Sequence, residues 1–219
     1  KCLDNGSVSS GLEQGAFPIT YELRPDYDRG LCSFDIDHTF RANAVYALPF
    51  RGNKFVEGWQ LSGILSAYAG TPINIQTGFT FPTRSRLGGI VGDRPNYSGA
   101  TGCNPDRVLG DPNRWFDPAC YVLQTPGTLG NVPRHSIRGP GFFNFDFAML
   151  KNTKVSEKLD IQFRAEFFNA TNHPNFRAPE SFTLFTGTAA NPAPNPNVGR
   201  ILTTANSSRQ IQFGLKFIF

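Results

Sequence analysis

The residues able to do metal, redox or acid–base chemistry are few: four cysteines, three histidines and a thin scatter of carboxylates. The cysteines form two local pairs, Cys2 with Cys32 and Cys103 with Cys120, each in a polar stretch rich in Gly and Pro. No CxxC spacing occurs and His38, His135 and His173 are not clustered, so a zinc set is not expected. Two loop disulfides in an oxidising compartment are the better reading, free thiols in a reducing cytosol the alternative. Ser136 adjoins His135, yet no nucleophile elbow, HExxH or phosphate-cradling loop accompanies them. His38 reads as a strand residue and His173, in Asn172-His173-Pro174, as the start of a loop. Asp26, Asp28, Asp35 and Asp37 group the oxygens a hard cation needs, but their spacing matches no defined calcium loop. No catalytic residue, metal site or cofactor is therefore expected, and no ligand code marks a substrate site.

Composition points to the elements that carry these residues. Phe supplies 21 residues, Gly 22 and Pro 17, while charged residues make up 17%. Phe suits pleated surfaces and Gly and Pro break helices, so short strands joined by turn-rich loops fit better than a helical bundle. A net charge of +4 is too weak and scattered to argue for nucleic acid. No apolar run approaches the length of a transmembrane helix. The mean hydropathy of −0.29 leaves a membrane barrel open, because its strands hide apolar residues at every second position. The opening Lys1-Cys2-Leu3-Asp4-Asn5-Gly6 reads as the interior of a loop, so the chain is expected to be cut from a longer polypeptide.

Five segments alternate apolar and polar with period two, predicting strands over Asp37–Leu48, Gly58–Gln76, Phe142–Leu150, Leu159–Asn169 and Arg209–Phe219. Gly70-Thr71-Pro72 marks a bend or an end within the second. One face carries Phe40, Leu61, Phe145, Phe163 and Phe213; the other carries Arg41, Asp146, Asp160, Arg164 and Glu166, which are the lumen-facing candidates. Asp160, Arg164 and Glu166 alternate along one strand, as a charged ladder or as an ordinary hydrated face.

The connections alternate as well. Pro49–Val56 and Lys151–Lys158 are short, whereas Thr77–Gly141 and Ala170–Ser208 are long and lack a sustained period. Membrane barrels pair short periplasmic turns with long extracellular loops. If the chain ends in the periplasm, both short turns fall there and both long loops and all four cysteines fall outside. Tyr46, Phe50, Phe55, Trp59, Phe217 and Phe219 then gather at the periplasmic interface, where a girdle of aromatic rings is favoured.

The closing Gln212-Phe213-Gly214-Leu215-Lys216-Phe217-Ile218-Phe219 resembles the terminal signal of outer-membrane barrels, with Gln212, Gly214, Phe217 and Phe219 at its key positions. That resemblance implies recognition by the barrel-assembly machine through an unpaired strand edge. Phe34-Asp35-Ile36-Asp37-His38-Thr39-Phe40, Asn43–Phe50, Gly58–Ile64, Phe163–Asn169 with Asn172–Phe176, and Arg209–Phe217 further resemble the C-terminal barrel of TonB-dependent receptors of the Oar-like, carboxypeptidase-regulatory-like type. The resemblance implies an antiparallel transmembrane β-barrel of 22 strands in the outer membrane of a Gram-negative bacterium, in contact with outer-membrane lipid, filled by a plug and coupled to the TonB complex. This chain holds about five of those strands and neither plug nor TonB box, so the expected division is 1–36, an extracellular loop region, and 37–219, C-terminal barrel strands. Five strands cannot enclose a plugged lumen. The implied function belongs to a parent protein: energy-coupled uptake of a scarce small solute such as a siderophore or saccharide. An outer-membrane adhesin or structural barrel without uptake is the alternative, and a soluble β-sandwich such as a lectin or hydrolase module the third reading.

Overall fold

A computed structural model describes residues 25–78, 84–85, 93–104 and 106–219. Five long strands dominate it: β1 Thr39–Ala47, β2 Trp59–Tyr68, β3 Phe142–Lys154, β4 Asp160–Phe168 and β5 Gln210–Ile218. They form one antiparallel sheet in which each strand pairs with its sequence neighbour. Four of the five run 9 or 10 residues, the length that crosses a bilayer when tilted. The sheet is open, with β1 and β5 as its edges.

Register keeps the alternation coherent across all five strands. Tyr46, Leu61, Met149, Ala165 and Phe213 stand opposite one another in one row, and Ala44, Gly63, Phe147, Phe167 and Ile211 in the next but one. Between them runs a row of the other face: Val45, Ser62, Ala148, Glu166 and Gln212. A slip of one residue in any strand would move its phenylalanines to the polar side, so this register is strongly specified.

Three boundaries differ from the sequence reading. β2 ends at Tyr68 rather than near Gln76; the chain breaks at Ala69–Thr71, and Pro72–Ile73 pairs with Ile137–Arg138 instead. Gly70 and Pro72 explain the break, since Pro cannot donate to a continuing ladder. β3 runs on to Lys154, so the turn expected at Lys151–Lys158 shrinks to five residues, closed by the Val155 N–H donating to the Leu159 carbonyl at 2.9 Å. His38 stands just before β1 rather than inside it, its carbonyl accepting the Ala69 N–H.

The greater difference concerns the long connections. The described residues before Asp37, within Gly70–Pro140 and in Phe176–Thr203 make a compact unit distinct from the sheet unit of Asp37–Ala69, Gly141–Asn175 and Thr204–Phe219. These aperiodic segments contain a hydrophobic core: Ile75 and Phe116 are fully buried, and Val132, Ile137, Cys120, Tyr121 and Leu184 nearly so. Phe116 meets Tyr121 edge-on at 5.9 Å. Cys103 and Cys120 are joined by a disulfide with Cα atoms 5.2 Å apart. The expected Cys2–Cys32 pair involves Cys2, which lies outside the described residues. Among the described residues regular structure is sparse: the ladders Pro72–Ile73 with Ile137–Arg138, Asn96–Tyr97 with Tyr121–Val122, and Phe185–Gly187 with Pro192–Pro194, the 3-10 turns Pro25–Asp28 and Pro118–Cys120, and a few isolated bridges.

Phe116→Ala should therefore cost the loop unit about 3–5 kcal/mol. Limited proteolysis should show faster cleavage within 70–140 and 176–203, with the strands still protected.

Candidate functional site: a two-faced sheet

The sheet has no protein core of its own. Among the described residues, Ala165 is the single buried hydrophobic residue on the five strands; the other buried hydrophobics belong to the loop unit. The apolar face instead shows large side chains left open, with Phe213 67%, Leu215 59% and Phe40 57% exposed. A contiguous exposed apolar face of this kind marks a surface that meets a membrane or a partner. A depression of about 310 Å³ lies on this face where Ala42, Ala44 and Gly63 sit among Tyr46, Leu65 and Phe145. A Cβ at Gly63 would come within 3.1 Å of the Phe145 ring, so a side chain there would require that ring to give by a few tenths of an ångström.

The opposite face collects polar groups. Arg41, Asp146, Asp160, Arg164 and Glu166 all fall on it by register. Arg164 Nε lies 3.0 Å from Glu166 Oε1, Gln162 donates to Asn152 across β3 and β4 at 2.8 Å, and Asp146 accepts from Asn144 at 2.9 Å. Asp160 stands opposite Lys154 and Ile218, at the other end of the strand from Glu166, so the charged ladder reduces to one ion pair. Tyr68 and Phe142, also on this face, stack at 4.7 Å. Of the terminal residues, Gln212 and Gly214 point to the polar face and Phe217 to the apolar one, while Phe219 follows the last strand residue and is 94% exposed.

The two ends of the sheet are fastened by different chemistry. At the short-turn end, buried Lys151 donates to the carbonyls of Lys54 (2.7 Å) and Glu57 and lies 5.6 Å from the Trp59 ring. Trp59 Nε1 donates to Phe55 O at 3.0 Å. This lysine belongs by parity to the apolar face, yet its ammonium is taken up by carbonyls of the turn between β1 and β2.

At the far end, three asparagines spaced by three residues tie β3, β4 and β5 together. Asn169 takes a left-handed φ of 48°, which Asn tolerates better than most residues, and its carboxamide donates to the carbonyls of His173 and Ser207 at 3.1 Å each. Asn172 Oδ1 accepts the Arg209 N–H at 2.9 Å, just before β5. Asn175, 1% exposed, acts as a substitute strand: it accepts the Phe143 N–H at 2.7 Å and donates to the Phe143 carbonyl at 2.8 Å. These three residues stand in segments named from the sequence without this joint role, although their spacing at the end of a strand is the available signal.

The residues considered for chemistry are dispersed or already engaged. Asp35 pairs with Arg138 at 2.6 Å. His173 is exposed and edge-on to Phe143 at 5.5 Å, while His135 is buried. Among the described residues, no group of three or more His, Cys, Asp or Glu is placed to hold a metal ion. Tyr97 and Tyr121 are pushed well above the ordinary phenol range, chiefly by burial, and for Tyr97 also by its hydrogen bond to Asp106 at 2.8 Å.

A family model described as an outer membrane beta barrel domain matches residues 1–212. No curated protein and no solved structure matches the chain.

On this arrangement Phe145→Arg should destabilise membrane folding by about 2–4 kcal/mol, whereas Phe163→Arg, in the Trp59–Lys151 row near the interface, should cost about 0–1 kcal/mol. Equilibrium folding into lipid vesicles measures both, and equal costs would count against this depth assignment. Asn175→Ala, which leaves the Phe143 N–H and carbonyl without their partner, should cost about 1–3 kcal/mol in the same assay.

Proposed function

This chain belongs to the outer membrane beta barrel domain family, and from that premise we propose that it is the C-terminal barrel segment of a TonB-dependent receptor importing a scarce small solute. Its place is the outer membrane, with every second strand side chain against lipid. The observation that carries the reading is the polar face, where Arg41, Asp146, Arg164 and Glu166 present charge and hydrogen-bonding groups along three of the five strands. A barrel wall facing a polar plug surface or a water-filled solute path requires such a surface, whereas a wall packed against an apolar interior does not. The resemblance of Phe163–Asn169, Asn172–Phe176 and Arg209–Phe217 to Oar-like receptors supports the same reading. Within it the barrel has 22 strands, a plug and TonB contact come from other parts of the parent, and the free edge of β5 is what the barrel-assembly machine engages. The chain performs no catalysis itself.

A second reading, a surface adhesin or structural barrel, is favoured by the loop unit, whose own core and disulfide make it a folded body rather than a set of tethers.

The full reading frame, produced in its native outer membrane, separates the two. Uptake predicts capture by the periplasmic domain of TonB and solute accumulation that stops when the proton-motive force is dissipated. Surface attachment that is unaffected by that treatment, with no TonB capture, would favour the adhesin.

A further inference from the structure

One group in the loop unit is used by nothing described so far. His135 is buried, 4% exposed, at a left-handed φ of 56°, and its Nδ1 lies 2.6 Å from the carbonyl of Leu31. Leu31 belongs to a strap, residues 26–35, held to the rest of this unit at four points. Arg94 donates to the Tyr27 carbonyl at 2.6 Å, and its guanidinium covers the Tyr27 ring at 3.7 Å. Gly30 packs so closely that a Cβ would stand 2.6 Å from the Arg134 carbonyl. His135 holds Leu31, and Arg138 holds Asp35 through both its carboxylate and its carbonyl. Three of these four holds come from the side chains of Arg94, His135 and Arg138.

We propose that the His135–Leu31 contact is an acid-sensitive latch, and that protonation of His135 releases the strap from the loop unit. With Nδ1–H donating to Leu31, the neutral ring satisfies the strap. A proton on Nε2 adds a buried cation beside Arg134 and Arg94, both themselves 4% exposed. The charged groups on the elements around it are Arg134 and Arg138 on its own loop, Asp93 and Arg94 on the neighbouring segment, and Asp26, Arg29 and Asp35 on the strap. Asp35 is committed to Arg138 and Asp93 to Ser85, whose hydroxyl donates at 2.6 Å, so neither is positioned to receive the new charge. Burial holds the imidazole down to about 4 from its ordinary 6.5, with Arg134 and Arg94 adding to the effect and the Leu31 carbonyl opposing it. The sign follows from linkage: a depressed value means the latched state binds the proton more weakly than the open one. Latching is fully present above pH about 6.5 and is lost as pH falls towards about 4.

Hydrogen exchange of the full protein in outer-membrane vesicles, corrected for intrinsic rates, reads the latch directly. Protection of strap amides 29–35 should fall at least about tenfold between pH 7 and pH 4.5, while β3 and β4 amides keep theirs. His135→Asn, chosen because Asn tolerates the left-handed backbone, should leave strap protection independent of pH over that range. Arg138→Gln should loosen the strap at both pH values yet preserve the pH dependence. Wild-type protection that stays flat with pH, or a pH dependence that survives His135→Asn, would overturn the latch.

Discussion

Hydrocarbon offers no partner to an N–H or a carbonyl, and that single fact governs the sheet. Inside a bilayer the backbone must satisfy itself, so strands can exist there only as neighbours in a ladder. The continuous pairing of β1 through β5, each strand with the next, is the minimum-length answer to that demand. Once the ladder is fixed, side chains have no freedom of face. Odd positions of β3, such as Phe145 and Phe147, must meet lipid, and even ones, such as Asp146, must meet polar surroundings. The asparagine knot at one end and Lys151 at the other mark where the ladder stops being enough. There, backbone groups that leave the strands are taken up by carboxamides, and carbonyls of the turn by an ammonium.

The loop unit obeys the opposite rule. It buries Phe116, Ile75 and Val132 against one another in water's absence, as an ordinary globular core does, and uses few strands to do so. Side chains replace ladders as the organising contacts: Arg138 reaches Asp35 and Gly70, Trp115 donates to the Arg138 carbonyl, and Asn195 bridges Ser181 and Thr183. One chain therefore folds under two solvents, and its phenylalanines serve two purposes. Phe213 on β5 faces outward, while Phe116 is enclosed.

Legibility in the sequence followed that division. Alternation is a local property, so the five strands and both faces could be read from residues such as Phe143-Asn144-Phe145-Asp146-Phe147. The extension of β3 was hidden because Lys151-Asn152-Thr153-Lys154 has turn-like composition; only the register against Trp59 and Gln162 shows that the ladder continues. The loop core was invisible for a deeper reason. Its members come from positions 73 to 201 with no period, and a set assembled by long-range contact leaves no local trace. The asparagine knot lay between these cases: Asn169, Asn172 and Asn175 are regularly spaced, but their roles depend on β3 and β5 lying alongside.

The strand count carries a last consequence. Among the described residues the sheet has five strands, an odd number, so its two outermost strands, β1 and β5, run in the same direction. Copies of this sheet inserted with a common orientation could meet only through parallel seams, whichever edges they brought together. An all-antiparallel cylinder therefore excludes closure by self-association in one membrane. The arc that completes the circle must contribute an odd number of staves, beginning and ending opposite to the edges it joins.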